Sequence, residues 1–124
     1  RVTNTLIDHG INSVGIMSND VNDYPEDSFE NMGKVAKKNK FSFPYLYDET
    51  QEIAKKYGAI CTPDFFGYNL SLELQYRGRL DATRMTKTSD NLEPELLNAM
   101  IKVAQTGEGP TEQNPSVGCS IKWK

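Results

Sequence analysis

The residue pattern of this 124-residue chain points to an α/β protein, a mixed sheet with helices on its faces. Three observations carry that expectation. Short apolar runs alternate with stripes at helical spacing through the first half of the chain. Two segments that read as strands, Phe65 to Tyr68 and Leu72 to Tyr76, then flank a turn at Asn69 to Ser71. Finally Leu92, Leu96, Leu97, Met100, Ile101 and Ala104 mark a strongly amphipathic helix that stops at Gly107.

Taken in order, Val2, Leu6 and Ile7 keep helical spacing up to Gly10, so the chain opens inside a helix whose start lies upstream. With no initiator Met and no signal-peptide pattern, the sequence reads as a segment of something longer. Val14 to Met17 is a short buried strand that runs into a loop at Ser18, Asn19 and Asp20. Asp27 and Glu30 have capping-box spacing, and Phe29, Met32, Val35 and Ala36 form the buried stripe of a helix ending near Asn39. Phe41, Phe43 and Tyr45 alternate around Pro44 as a short extended or edge segment. Asp48 and Gln51 repeat the capping spacing before Ile53, Ala54 and Tyr57, and that helix stops at Gly58.

After Pro63 the hairpin follows, its second strand half buried because Leu72, Leu74 and Tyr76 alternate with Glu73, Gln75 and Arg77. Gly78 to Asn91 is a polar connection to the last helix. Beyond Gly107 no periodicity remains, so residues 1–107 are expected to form the domain and 108–124 an irregular tail packed on it. Cys119, Ile121 and Trp123 alternate with polar residues, which suits an extended strap.

Composition narrows the function classes. Charged residues at 25% and aromatics at 10% describe a globular chain, and its length allows one real core. A net charge of -3 offers no basic face for nucleic acid; Lys37, Lys38 and Lys40 cluster where a helix ends and cations favour its dipole. No apolar run approaches the roughly 20 residues of a membrane span. Two cysteines are too few for a disulfide-stapled secreted scaffold, which favours a cytoplasmic setting. They and the single His9 are also too few and too far apart for a tetrahedral zinc site.

The run Tyr57 to Phe66 is the most informative. A helix stop at Gly58 is followed by a thiol at Cys61 and then by Thr62 before Pro63, a proline at the start of an aromatic strand. Cys61 reads either as a redox thiol or as the small buried hydrophobe that cysteine commonly is. Cys119, between Gly118 and Ser120 in the irregular tail, is less readily explained by packing. Bridging the two would need their Cα atoms within about 7 Å. Arg77 and Arg79, flanking Gly78, fit either a loop fixed through carboxylates such as Asp64 or Asp81, or an anion site. Asp23, Glu26 and Asp27 favour the helix that follows them.

These motifs resemble a thioredoxin-fold family of the redoxin group, the alkyl hydroperoxide reductase and thiol-specific antioxidant (peroxiredoxin-like) proteins. The resemblance rests on Ser18-Asn19-Asp20, Tyr24 to Ser28, Phe43 to Thr50, Cys61 to Phe66, Tyr76 to Arg79 and Gly118 to Lys124. It implies a thioredoxin-like mixed sheet with flanking helices, whose first strand and first helix start are missing from this segment. It also implies a cis-proline at Pro63 facing redox-active cysteines, with Thr62 and Pro63 as substrate-binding residues and the Thr62 backbone free to pair with a substrate peptide as a short added strand. The alternative for these two residues is a tight corner with no ligand role.

Members of the family carry a Cys-Asn-His-Cys-Pro stretch at the start of the first helix, where a helix N-terminus stabilises a thiolate. That stretch would lie upstream of Arg1. The resemblance therefore implies a thiol-disulfide oxidoreductase or peroxiredoxin-like antioxidant whose attacking thiol is outside this segment. Cys61 and Cys119 would be resolving or auxiliary thiols. Its partners would be a protein disulfide or peroxide substrate and a thiol reductant, with no cofactor, nucleic acid or membrane. The alternative is a redox-inactive thioredoxin-like module that binds a protein partner on its Pro63 face.

Overall fold

The structure, a computed structural model, describes residues 2–82 and 93–124. Most of the expected polar connection, and Leu92 at the head of the last stripe, lie outside the described residues. Its elements follow in the order α1 (Val2–Asp8), β1 (Gly15–Met17), a 3-10 turn (Pro25–Asp27), α2 (Phe29–Lys38), β2 (Tyr45–Tyr47), α3 (Glu52–Tyr57), β3 (Cys61–Thr62), β4 (Phe65–Tyr68), β5 (Leu74–Gly78), α4 (Glu95–Thr106) and β6 (Cys119–Ser120). They fall into two compact units, Arg1–Ile11 with Cys61–Cys119 and Asn12–Ile60 with Ser120–Lys124.

The first unit is built on the antiparallel hairpin β4–β5, with Phe65 opposite Gly78 and Gly67 opposite Tyr76. Its turn is tied by Asn69, whose Oδ1 accepts the amides of Ser71 and Glu73, each at 3.0 Å. Leu72, expected to open the second strand, instead takes a left-handed conformation (φ 60°) in the turn and is exposed, so β5 starts at Leu74. Leu96, Ala99, Met100 and Val103 of α4 recur on one helical face and form the core with Leu6 of α1 and Tyr76 of β5. Burying each of the larger apolar side chains stabilises the unit by about 1.5–3 kcal/mol before entropy is counted. Gly67 leaves room for the Met100 side chain: a Cβ there would fall on its sulfur. Tyr76 is 2% exposed, and its hydroxyl donates to the Arg79 carbonyl at 2.6 Å, so its polar end is satisfied.

The second unit holds the parallel pair β1–β2, with Ile16 aligned to Leu46 and Met17 to Tyr47. Pro44 has no N–H to give, and its carbonyl accepts the Gly15 amide at 2.8 Å, so the strand expected around Pro44 begins just after it. Phe41, Phe43 and Tyr45 pack on one another, with ring centroids 4.6 Å apart for the first two and 5.4 Å for Phe41 and Tyr45. In α2 the cap is Ser28, whose Oγ accepts the Asn31 amide at 3.2 Å, rather than Asp27. Phe29 is then the first helical residue, and it and Val35 are exposed at 68% and 43%, so of the expected stripe Met32 is buried, Ala36 is half-buried and the other two face outward.

Asp48 and Gln51 divide the work expected of a capping box. The Asp48 carboxylate accepts the Ile53 and Ala54 amides of α3 at 3.3 and 3.0 Å and the Ser18 hydroxyl at 2.8 Å. Burial alone would raise its pKa, but these hydrogen bonds outweigh burial and hold the carboxyl below its ordinary range. Gln51 sits before the helix in a left-handed conformation (φ 65°), and its side chain reaches the tail instead. Its amide nitrogen donates to the carbonyls of Ser18 and Lys122 at 2.8 and 2.9 Å, and its oxygen accepts the Lys124 amide at 3.1 Å. Asn19 accepts the Lys122 amide at 2.9 Å, and the Asp20 amide donates to the Lys122 carbonyl at 2.7 Å. The last residues are thus an extended strap, with Ile121 buried and Lys55 lying over the Trp123 ring.

Candidate thiol site

The αL glycine at Gly58 (φ 73°) ends α3 and turns the chain toward Cys61. Cys61 and Thr62 form β3, the Thr62–Pro63 peptide is cis, and β4 begins two residues after the proline. Strand β3 pairs with β6, the strand that begins at Cys119. That pairing brings the tail cysteine to the proline corner.

Three contacts of the first unit define the corner. Thr62 Oγ1 donates to the Cys119 carbonyl at 3.4 Å. Gly118 passes so close to Thr62 that a Cβ on it would land on the Thr62 carbonyl oxygen. Only glycine fits there without moving backbone. The Cys61 thiol donates to the Ser116 carbonyl at 3.6 Å, a long and weak S–H bond. Cys61 is half buried, Cys119 is exposed, and neither is in a disulfide.

Around the corner the polar groups are matched. Ser116 Oγ lies 2.6 Å from the Gly78 carbonyl and 3.0 Å from Asp64 Oδ1, and its single proton serves one of them at a time. The Asp64 side chain is 6% exposed and faces Arg77 at 3.6 Å, while the Arg77 guanidinium lies over the Phe66 ring at 5.0 Å. Gln113 stands beside β5, donating to the Gln75 carbonyl at 2.8 Å and accepting the Arg77 amide at 2.9 Å. Arg79 pairs with Glu95 at 2.7 Å, so both arginines of the Arg77-Gly78-Arg79 motif hold carboxylates. The hydrogen bond from Arg79 keeps the Glu95 carboxyl below its ordinary range, against a smaller opposing effect of burial. Asn114 adds a second bond to Glu95 at 2.9 Å.

His9 lies elsewhere on the surface, its Nδ1 3.0 Å from the Thr5 carbonyl. Among the described residues no three His, Cys, Asp or Glu side chains group as a metal ion would require. Ser116 carried no mark in the sequence. Its role depends on Asp64 and Gly78, which are distant along the chain, and only a motif spanning the tail could have flagged it.

A family profile decides the affiliation: that of the AhpC/TSA family matches residues 2–83. The chain belongs to the AhpC/TSA family. Its fold is the thioredoxin-like α/β fold expected from the sequence, as two solved structures also indicate. The crystal structure of an uncharacterized conserved protein from Geobacillus kaustophilus aligns with a TM-score of 0.89 and 47% identity, covering 100% of this chain. A hypothetical protein from Sinorhizobium meliloti 1021 aligns with a TM-score of 0.87 and 38% identity over 98% of this chain. In both cases this chain spans 66% of the other chain's length. No curated protein matches the sequence.

Proposed function

We propose that this segment is part of a thiol-disulfide oxidoreductase or peroxiredoxin-like antioxidant domain whose attacking thiol precedes Arg1. The observation that supports this reading best is the meeting of Cys61, Thr62, Pro63 and the Cys119 strand at one corner of an AhpC/TSA family member. In the proposed chemistry a thiolate attacks a peroxide oxygen, an alcohol or water leaves, and a sulfenic acid forms. A second thiol, Cys61 or Cys119, condenses with it to a disulfide and water, and a thiol reductant returns the two electrons. With a protein disulfide as substrate, the same thiolate attacks one sulfur and expels the other as a thiol. Thr62 and Pro63 shape the surface against which the substrate segment lies.

Cys61 and Cys119 both lie in short strands, so neither has the helix N-terminus that stabilises a thiolate. The leading nucleophile is therefore assigned elsewhere. Peroxide and insulin-disulfide reduction with dithiothreitol, measured on the parent protein and on this segment, tests the assignment. The parent should turn over and the segment should not exceed free thiol. Equal specific activity, lost in Cys61→Ser, would move the nucleophile into this sequence. A parent protein inactive in both assays would leave the protein-binding module as the reading.

A further inference from the structure

The proposed chemistry needs an edge at Cys61–Thr62 along which an extended protein segment can lie. That edge is already taken by the chain's own tail. Strand β3 pairs with the strand that starts at Cys119, Thr62 Oγ1 donates to the Cys119 carbonyl, and Gly118 fits against the Thr62 carbonyl where no side chain could. The seated tail thus has a defined chemistry. It is extended, it offers a residue without a Cβ to Thr62, and a cysteine follows with its side chain exposed.

We infer that Gly118–Cys119 is a built-in pseudosubstrate, and that the β3 edge takes extended protein segments in which a cysteine follows glycine. The substrate class rests on the redox reading above; the occupation of the edge rests on the backbone pairing and the Gly118 packing. An incoming segment has to lift Gly118–Cys119 off this edge. The side-chain contacts that hold the stretch are individually modest, among them the Thr62 hydroxyl bond, the long Cys61 thiol bond to the Ser116 carbonyl, and the Ser116 hydroxyl facing Gly78 and Asp64. The residues that follow are anchored by the buried Ile121 and by the Gln51 bonds to Lys122 and Lys124, so the exchange is a local opening of residues 116–119 and not release of the whole tail. Exchange between this stretch and an external segment at one edge makes apparent affinity for the external segment depend on how often the stretch is off.

The test uses the full chain and a fluorescent peptide copying residues 115–121, with serine in place of Cys119 so that binding is not covalent. Gly118→Val puts a branched side chain onto the Thr62 carbonyl and should lift the stretch off the edge. The peptide should then bind about tenfold more tightly than it binds the unmodified protein, because the occupied fraction of the edge falls. The same peptide with valine in place of Gly118 should bind neither protein. Equal affinity for the two proteins, or equal binding of the two peptides, would overturn the proposal. Should Gly118→Val fail to fold, excess peptide added to the unmodified protein should speed amide exchange at Cys119 several-fold. Exchange that does not respond would overturn it as well. Peptide binding in a parent protein without thiol turnover would remove the redox reading and leave the docking edge. Turnover with no effect of Gly118→Val on peptide affinity would do the reverse.

Discussion

The side chain of Gln51 donates to the carbonyl of Lys122, 71 residues further along the chain, at 2.9 Å. The same amide bonds Ser18 and Lys124, and the residue is 2% exposed. Removing a buried amide that serves three backbone groups leaves donors and acceptors unmatched, which costs more than the bonds themselves contribute. Gln51→Ala should destabilise the protein by about 2 kcal/mol or more, read from urea unfolding. Gln51→Glu should do no better, because a carboxylate cannot donate to two carbonyls. Stability within error of the parent in Gln51→Ala would contradict the role assigned to it.

The end of the Met100 side chain fills the space that Gly67 leaves beside the hairpin. Gly67→Ala should cost about 1–3 kcal/mol through overpacking against the Met100 sulfur. Met100→Ala alone leaves a cavity and costs about 2–5 kcal/mol. Each change relieves the other's fault, so the double variant should be less destabilised than the sum of the two. Strict additivity in a double-mutant cycle would show that the two residues do not share this space.

Local signals were legible in the sequence, and distant ones were not. Gly10, Gly58 and Gly107 end their helices with positive φ, a role that the absence of a Cβ makes readable from residue type. The hairpin and the apolar face of α4 follow from periodicities of two and 3.6, which any short window reveals. Cap assignment was less secure. Ser28 displaced Asp27, and Asp48 capped α3 from farther back than box spacing suggests, because several oxygen-bearing residues compete at each helix start. The pairing of β3 with β6 was not legible at all. Two-residue strands carry no periodicity, and the partners are joined only after a long loop has closed. The family motif could be recognised on the Cys61 side and on the Cys119 side, but not that the two strands lie side by side.

Two depressed carboxyls give the protein an acid limb. Asp48 and Glu95 have folded-state pKa values below their ordinary 3.8 and 4.5. Their contribution is present above those ordinary values and is lost as pH falls through the lower folded ones. Tyr76 acts at the other end: burial first, then the Glu95 charge, raises its pKa above 10.0, so its contribution is complete below that value and lost as pH rises through the folded one. Urea midpoints measured across pH should therefore be flat near neutrality and fall at both extremes. Asp48→Asn should lower stability at neutral pH and reduce the acid slope. An unchanged acid slope in both Asp48→Asn and Glu95→Gln would assign the acid limb to other groups.

The two thiols should differ in access. Cys119 is exposed in a strand of the tail, whereas Cys61 is half buried with its thiol directed at the Ser116 carbonyl. Reaction with iodoacetamide requires the reagent to reach the sulfur, and a partly covered thiol waits for local opening. In the folded chain Cys119 should be alkylated roughly tenfold faster than Cys61, and in urea the two rates should converge. Peptide mapping by mass spectrometry after timed quenching resolves the sites, and Cys119→Ser should leave only the slow phase. Ser116→Pro, which disturbs the segment that covers Cys61, should speed that slow phase while the Cys119 rate changes little. A Cys61 that reacts first in the folded chain would mean that its side is the open one, and would make it rather than Cys119 the thiol presented to an external partner.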